Sequence, residues 1–363
     1  MNRFGKFFVV AAAVAALGTF VPSSYAVNTR YKVENLVSDG PPVTANHLDP
    51  NLKNGWGVAF NPNGLVWVAD NGTGLSTLYD GLGNPNALVV QIPGPPGLTQ
   101  PGLPTGIVFN GSGDFVITNG AATGPSRFIF AGQDGVIAAW APNVDLTHAL
   151  RAAYVPAASY FGLALAADGT GNFLYAADFL GGKIDKFDKN FQPVATQGGF
   201  VDPSIPSDFA PFNIQNILGD LYVAYAKREL ENGGVEEVPG PGLGYVNVFD
   251  AKGNLIQRIA ARGKLNAPWG LALAPASFGK FANHLLVGNF GDGTINAYDA
   301  GGGFRGQLRG TDNKPLAIDG LWGLAFGNGI NNQPTGTLFF AAGPGNEEHG
   351  LYGSITPVAG PDE

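Results

Sequence analysis

APWGLALAP (267–275), HLLVGNF (284–290) and GTINAYD (293–299) are the stretch on which the fold of this chain turns. The first run opens on Pro268-Trp269-Gly270 and alternates apolar residues, as an inner β-strand does. The second, Leu285 to Asn289, reads as a short buried strand ending in a polar turn. The third closes on Tyr298 and the turn-former Asp299. The same unit recurs along the chain: GWGVAF, LVWVAD and GLSTLYD (55–80); PTGIVF, DFVITN and GVIAAW (104–140); YFGLAL, FLYAAD and GKIDKFD (160–188); PFNIQN, DLYVAY and GYVNVFD (211–250); and LWGLAF, TLFFAA and GLYGSIT (321–356).

With the first unit this makes six, marked by Gly57, Gly106, Gly162, Asn213, Gly270 and Gly323. A period of roughly fifty residues holds four short strands with their turns, which predicts a β-propeller. The expected fold is therefore all-β, a six-bladed propeller with four-stranded blades, filling residues 27–363 as one domain. Fourth strands are expected at 87–92, 149–155, 193–196, 254–260 and 304–309. The sixth unit lacks one, and Tyr31–Val37 stands alone near the start. That isolated strand is expected to complete the last blade and close the ring, leaving no open edge.

Residues 1–26 fall outside this pattern. Arg3 and Lys6 precede an apolar run from Phe7 to Leu17, and Ser24-Tyr25-Ala26 supplies small residues for cleavage. This reads as a secretory signal peptide, too short for a membrane anchor. Export, to a periplasm or beyond the cell, is the expected fate, with no membrane span after cleavage. The chain carries 20 basic and 28 acidic residues, a net charge of −8. Removing Arg3 and Lys6 takes this to −10. Scattered basic residues in an acidic chain speak against nucleic acid as a partner. Without cysteine, disulfides and thiolate metal sites are excluded.

Long connections are expected to share one face of the propeller: 38–54, 120–134, the acidic 227–242, 290–292 and 343–349. Three groups of residues bear on function there. Second strands end in Asp70, Asn119, Asp178 and Asn289, oxygen donors of the kind a divalent cation such as calcium takes, with Asp70 and Asp178 the carboxylates. The same residues also favour turns by bonding their own backbone. Ring closure is expected to bring His47 and Asp49 near Glu347, Glu348 and His349, a group able to hold a cation or move a proton, or else solvated loop residues. Trp56, Phe161, Phe212, Trp269 and Trp322 recur beside the marker glycine, either lining a pocket or wedging blade against blade. No nucleophile elbow, HExxH, P-loop or dinucleotide fingerprint occurs.

PWGLALAP, LLVGNFGDGTINAYD, DGLWGLAFGNG and AGPGNEEHGLYGSI resemble a family of secreted bacterial β-propeller proteins without an assigned reaction, over roughly Asn35 to Ile355. Some of its members carry a C-terminal sorting signal. The chain ends on a short acidic tail instead, so free secretion is expected. More distantly the blades resemble NHL repeats and lactonase-type propellers, a group holding metal-dependent hydrolases, lyases and binding scaffolds. That resemblance implies a channel cation among Asp70, Asn119, Asp178 and Asn289. The leading expectation is a secreted protein that binds a small molecule, a glycan or another secreted protein through its long-loop face. A cation-dependent hydrolase or lyase is the first alternative, and an extracellular structural or filament subunit the second.

Overall fold

The computed structural model describes residues 29–231 and 234–360. The signal-peptide reading of residues 1–26 lies outside the described residues. Six small antiparallel sheets ring a central axis, the six-bladed propeller expected from the repeats. Blade one comprises Gly55–Phe60, Val66–Asp70, Leu75–Tyr79 and Val90–Gln91, from axis to rim. Blades three and five follow the same plan from Tyr160–Ala167 and Pro268–Leu273, and blade four from Phe209–Ile217.

The last blade closes on the N-terminal strand. Thr29–Ser38 pairs antiparallel with Leu351–Ala359, from Thr29 opposite Ala359 to Ser38 opposite Leu351, with a bulge between Asn35 and Val37. A two-residue strand, His47–Leu48, then adds in parallel at Val37 and Ser38. The closing strand thus completes its own chain's ring, and the rim that Leu351–Ala359 would leave open is paired.

Blade two departs from the expected strand assignment. Its second strand is Phe128–Gly132, not 114–119. Val116–Asn119 pairs with Ala122–Pro125 as a separate hairpin. Burial explains the difference: Phe128 to Ala131 are all at most 1% exposed, whereas Val116 is 52% exposed. Phe128 stacks on Trp67 of blade one at 4.1 Å, which ties this strand into the seam between blades one and two. The acidic stretch 227–242 is likewise no open loop. The second strand of blade four runs on from Asp220 to Glu231 and pairs with Gly234–Glu237.

The core is divided by seams. One apolar cluster fills each gap between neighbouring blades, such as Trp67, Leu78, Phe128 and Trp140 between blades one and two. The marker glycines explain how the inner strands approach. A Cβ on Gly106 would lie 2.3 Å from Leu163 N, and one on Gly323 2.4 Å from Trp56 O, each backbone of the next blade. In blade four Asn213 replaces the glycine and makes the same junction by a hydrogen bond, its Nδ2 donating to Trp269 O at 2.8 Å.

Candidate functional site

The five aromatic residues beside the marker positions line no open pocket; they pack blade against blade and meet across the axis. Trp56 of blade one stacks on Trp322 of blade six at 3.5 Å and meets Trp269 of blade five edge-on at 6.0 Å. Phe161 and Phe212 of blades three and four lie 5.5 Å apart, and Phe212 reaches Trp322 at 5.7 Å. Each is at most 4% exposed. With Phe179 and Val235 they form an apolar plug on the axis. In blade two the place is taken by Thr105, whose hydroxyl lies 2.7 Å from Tyr160 O.

Over this plug sits a polar layer on the long-loop face. The Trp322 indole N–H donates to Asn54 Oδ1 at 3.1 Å. Asn54 Nδ2 donates to Glu347 Oε2 at 2.6 Å, and Asn71 Nδ2 to Gln133 Oε1 at 2.9 Å. Asn54 and Glu347 both hold left-handed backbone, at φ 46° and 66°. Non-glycine residues held there mark positions fixed by their surroundings. Phe290 stacks on Trp322 at 4.1 Å. Beside it a cavity of about 270 Å³ is bounded by Pro239, Phe290, Asp319, Asn346 and Glu347.

The hairpin of blade four reaches the same place. Its Val235 packs into the plug, and Glu236 and Glu237 follow. Arg228, opposite Glu237 in register, spends its guanidinium on the carbonyls of Phe179 and Leu180. Burial, and then the charges of Glu347 and Glu236, push the Glu237 carboxyl up to about 8. Burial and Glu236 likewise raise Glu347, against the stabilising bond from Asn54. Folded protein therefore keeps a proton on Glu237 that the unfolded chain releases near pH 4.5. Stability from this group is full below that pH and is lost as pH rises towards 8. Glu237→Gln is expected to flatten that fall, gaining about 1–2 kcal/mol at pH 8.5 and nothing at pH 4. Urea unfolding at both pH values checks it, and an equal effect at both would refute the assignment.

Sequence reading foresaw Glu347 at this face but not its partners. Glu236 and Glu237 lay within the acidic insertion without a signal that they would fold back over the axis. Asn54 and Gln133 belong to no motif, and Asn71 only to an N-x-T triplet (71–73) that says nothing of this contact.

The other expected groupings come apart. Asn119 is exposed on the separate hairpin of blade two, away from its supposed strand end. Asp178 is a backbone cap, its Oδ1 accepting from Ser159 N at 3.1 Å and Gly181 N at 2.9 Å. Asn289 does the same for Asn266 N at 3.1 Å and donates to Lys264 O at 2.8 Å. Asp70 is buried between blades one and six, on the sheet face of Val66, Val68 and Tyr79. These four do not converge on the channel, and an axial cation finds no set of ligands among them. His47 sits at the rim, paired to Val37. Asp49 turns inward to the Tyr79 hydroxyl at 3.0 Å, and His349 Nδ1 lies 3.2 Å from Asp39 Oδ2. Glu348 is exposed, so of that group Glu347 alone joins the mouth. Among the described residues, no three His, Cys, Asp or Glu side chains are placed to hold a metal ion together. No described helix is long and apolar enough to cross a membrane.

No protein-family model matches the chain. Solved structures with a similar fold include a streptogramin B lyase, at TM-score 0.51 and 13% identity over 93% of this chain and all of that one. A protein of unknown function from Bacteroides thetaiotaomicron matches at TM-score 0.53 and 12% identity, over 90% of this chain and 76% of that one. At such identities the likeness is one of fold. Closer in sequence are two uncharacterised proteins of Acanthamoeba polyphaga mimivirus. R648 is 36% identical over 342 residues, covering 90% of this chain and 80% of its own length. L690 is 35% identical over 334 residues, covering 90% and 85%. These relatives are viral, where the tail motif had pointed to bacterial proteins. With nine-tenths of its length shared at this level, the chain belongs to the family of the mimivirus proteins R648 and L690.

Proposed function

We propose that this protein is a binding scaffold whose ligand docks at the acidic mouth of the plugged channel, on the long-loop face. One observation carries the reading: Glu347 is held at the edge of a cavity over the Trp322–Phe290 stack, where burial and then the charge of Glu236 raise its carboxyl, and its own charge in turn acts on Glu237. An aromatic wall beside the Glu347 and Glu236 carboxylates, neither of them in an ion pair among the described residues, suits a ligand that presents an ammonium group or several hydroxyls to the acids and an apolar face to Phe290. The test is a screen of amine-bearing small molecules, glycans and peptides, followed by calorimetry on the best binder. Glu347→Ala is expected to weaken binding at least about tenfold, the loss of one charge-assisted hydrogen bond. A best binder indifferent to Glu347 would overturn the placement, and failure of every class would overturn the binding reading.

A second reading rests on Glu237. A carboxyl raised to about 8 is protonated at neutral pH, which suits a general acid in a hydrolase or lyase. Turnover of lactones, esters or cyclic peptides that is abolished in Glu237→Gln would favour it over simple binding. Export of the mature chain is a proposal drawn from residues 1–26. N-terminal sequencing of protein from the native source tests it, and an intact Met1 would refute it.

A further inference from the structure

Asp70 is the polar side chain that the fold leaves least explained. It ends the second strand of blade one and is fully buried, yet neither carboxylate oxygen has a hydrogen-bond partner. Its counterparts in blades three and five accept backbone N–H bonds, as described for Asp178 and Asn289. In blade one those donors are spent elsewhere. Asn54 N–H donates to His349 O at 3.0 Å, and Thr73 N–H to the carbonyl of Asp70 itself at 3.3 Å.

Strand register shows what shares the seam. Val66, Val68 and Asp70 lie opposite Tyr79, Thr77 and Leu75, and this face packs on Phe339, Ala341 and Tyr352 of blade six. Thr77, 1% exposed, lies beside the Asp70 carboxyl without closing a well-formed hydrogen bond to it, and Asp49 is near enough for its charge to act on the same group. Asp49 arrives from the loop that follows the closing strand, itself 7% exposed. Its Oδ2 accepts from the Tyr79 hydroxyl at 3.0 Å and its Oδ1 from Asn51 N at 3.0 Å. Among the described residues, no lysine, arginine or histidine is ion-paired with Asp49 or Asp70.

A carboxylate removed from water without a partner is too costly to persist, so a counter-charge or a proton must accompany it. We propose that a hard divalent cation, with calcium the best match, occupies the seam between blades six and one, bound by the carboxylates of Asp70 and Asp49 and the hydroxyl of Thr77. Two carboxylates balance its charge, and all the donors are oxygens, as calcium prefers. Tyr79 orients Asp49 for this role from behind. The ion ties the loop after the closing strand to blade one, and so fastens the ring at the one place where the two ends of the chain meet. The site is separate from the mouth and does not depend on the binding function proposed there.

The test uses the full chain, purified without chelator, with metal content and thermal melting measured in EDTA and in millimolar calcium. One calcium per chain is expected, with a Tm at least about 5 °C higher in calcium, the shift that mass action gives well above the Kd. Asp70→Asn is expected to lose both the ion and the calcium dependence. Thr77→Val, which keeps the shape of the seam, is expected to fold and to bind calcium at least about tenfold more weakly. It keeps the proposal testable should the asparagine variant fail to fold. A wild-type Tm indifferent to EDTA with no bound metal would overturn the proposal. So would an Asp70→Asn protein as stable as wild type in calcium, because Asp70 would then be a neutral acid.

Discussion

Tyr31→Ala is expected to cost about 3–5 kcal/mol of unfolding free energy, the range for deleting a buried aromatic ring. Tyr31 belongs to the closing strand, but its contacts reach past the blade it completes. The ring is 1% exposed and lies 5.0 Å from Phe278 and 6.0 Å from Phe281, both in blade five. Its hydroxyl donates to Phe278 O at 3.2 Å, and its backbone N–H to Arg309 O at 2.9 Å. One side chain therefore holds the last-added strand against the neighbouring blade as well as its own. Tyr31→Phe keeps the ring and loses one hydrogen bond, so it is expected to cost about 1 kcal/mol. Urea unfolding of both variants measures this. A Tyr31→Ala loss below about 1 kcal/mol would mean that the ring stays closed without that anchor.

Trp322→Ala is expected to be equally damaging, at about 3–5 kcal/mol, and to disable the mouth as well. Trp322 is fully buried, stacked between Trp56 and Phe290, with Trp269 edge-on at 5.7 Å. Its removal leaves a cavity on the axis, where the surrounding strands are tied blade to blade and cannot collapse into it. It also strips Asn54 of the indole donor that sets its amide towards Glu347. Ligand affinity at the mouth is therefore expected to fall with stability. Trp322→Phe separates the two effects: it refills most of the space but leaves Asn54 Oδ1 without its donor, at about 1–3 kcal/mol. Far-UV circular dichroism follows unfolding without relying on the tryptophans being changed. A Trp322→Phe protein with wild-type stability and intact ligand binding would show that the indole N–H does not organise the site.

Much of the architecture was legible in the chain. The recurring aromatic–glycine pairs mark where inner strands crowd the axis, and the unpartnered strand at 31–37 required a blade that lacked one. Where the strand reading failed, two segments competed for one place. DFVITN (114–119) alternates like a strand and is one, but Phe128–Gly132 buries more apolar surface between blades and takes the place in the ring. Local pattern shows that a segment can be a strand; it does not rank rivals for the same position. The site was less legible still. Of His47, Asp49, Glu347, Glu348 and His349, three side chains turn to different partners, Asp49 to Tyr79, Glu347 to Asn54 and His349 to Asp39, while His47 lies in the rim strand and Glu348 is exposed.

What the sequence by itself determined is periodic: the number of blades, the place of the inner strands and the partner of the orphan strand. Those follow from hydrophobic alternation and turn chemistry, which act over a few residues. Only the tertiary structure decided that the aromatic residues plug the axis, that Glu237 and Glu347 meet above them, and that Asp70 lies unpaired in a closed seam. Each of those depends on the direction in which a side chain leaves one blade to meet residues from another. Such encounters are separated by up to hundreds of positions along the chain, as for Asn54 and Glu347.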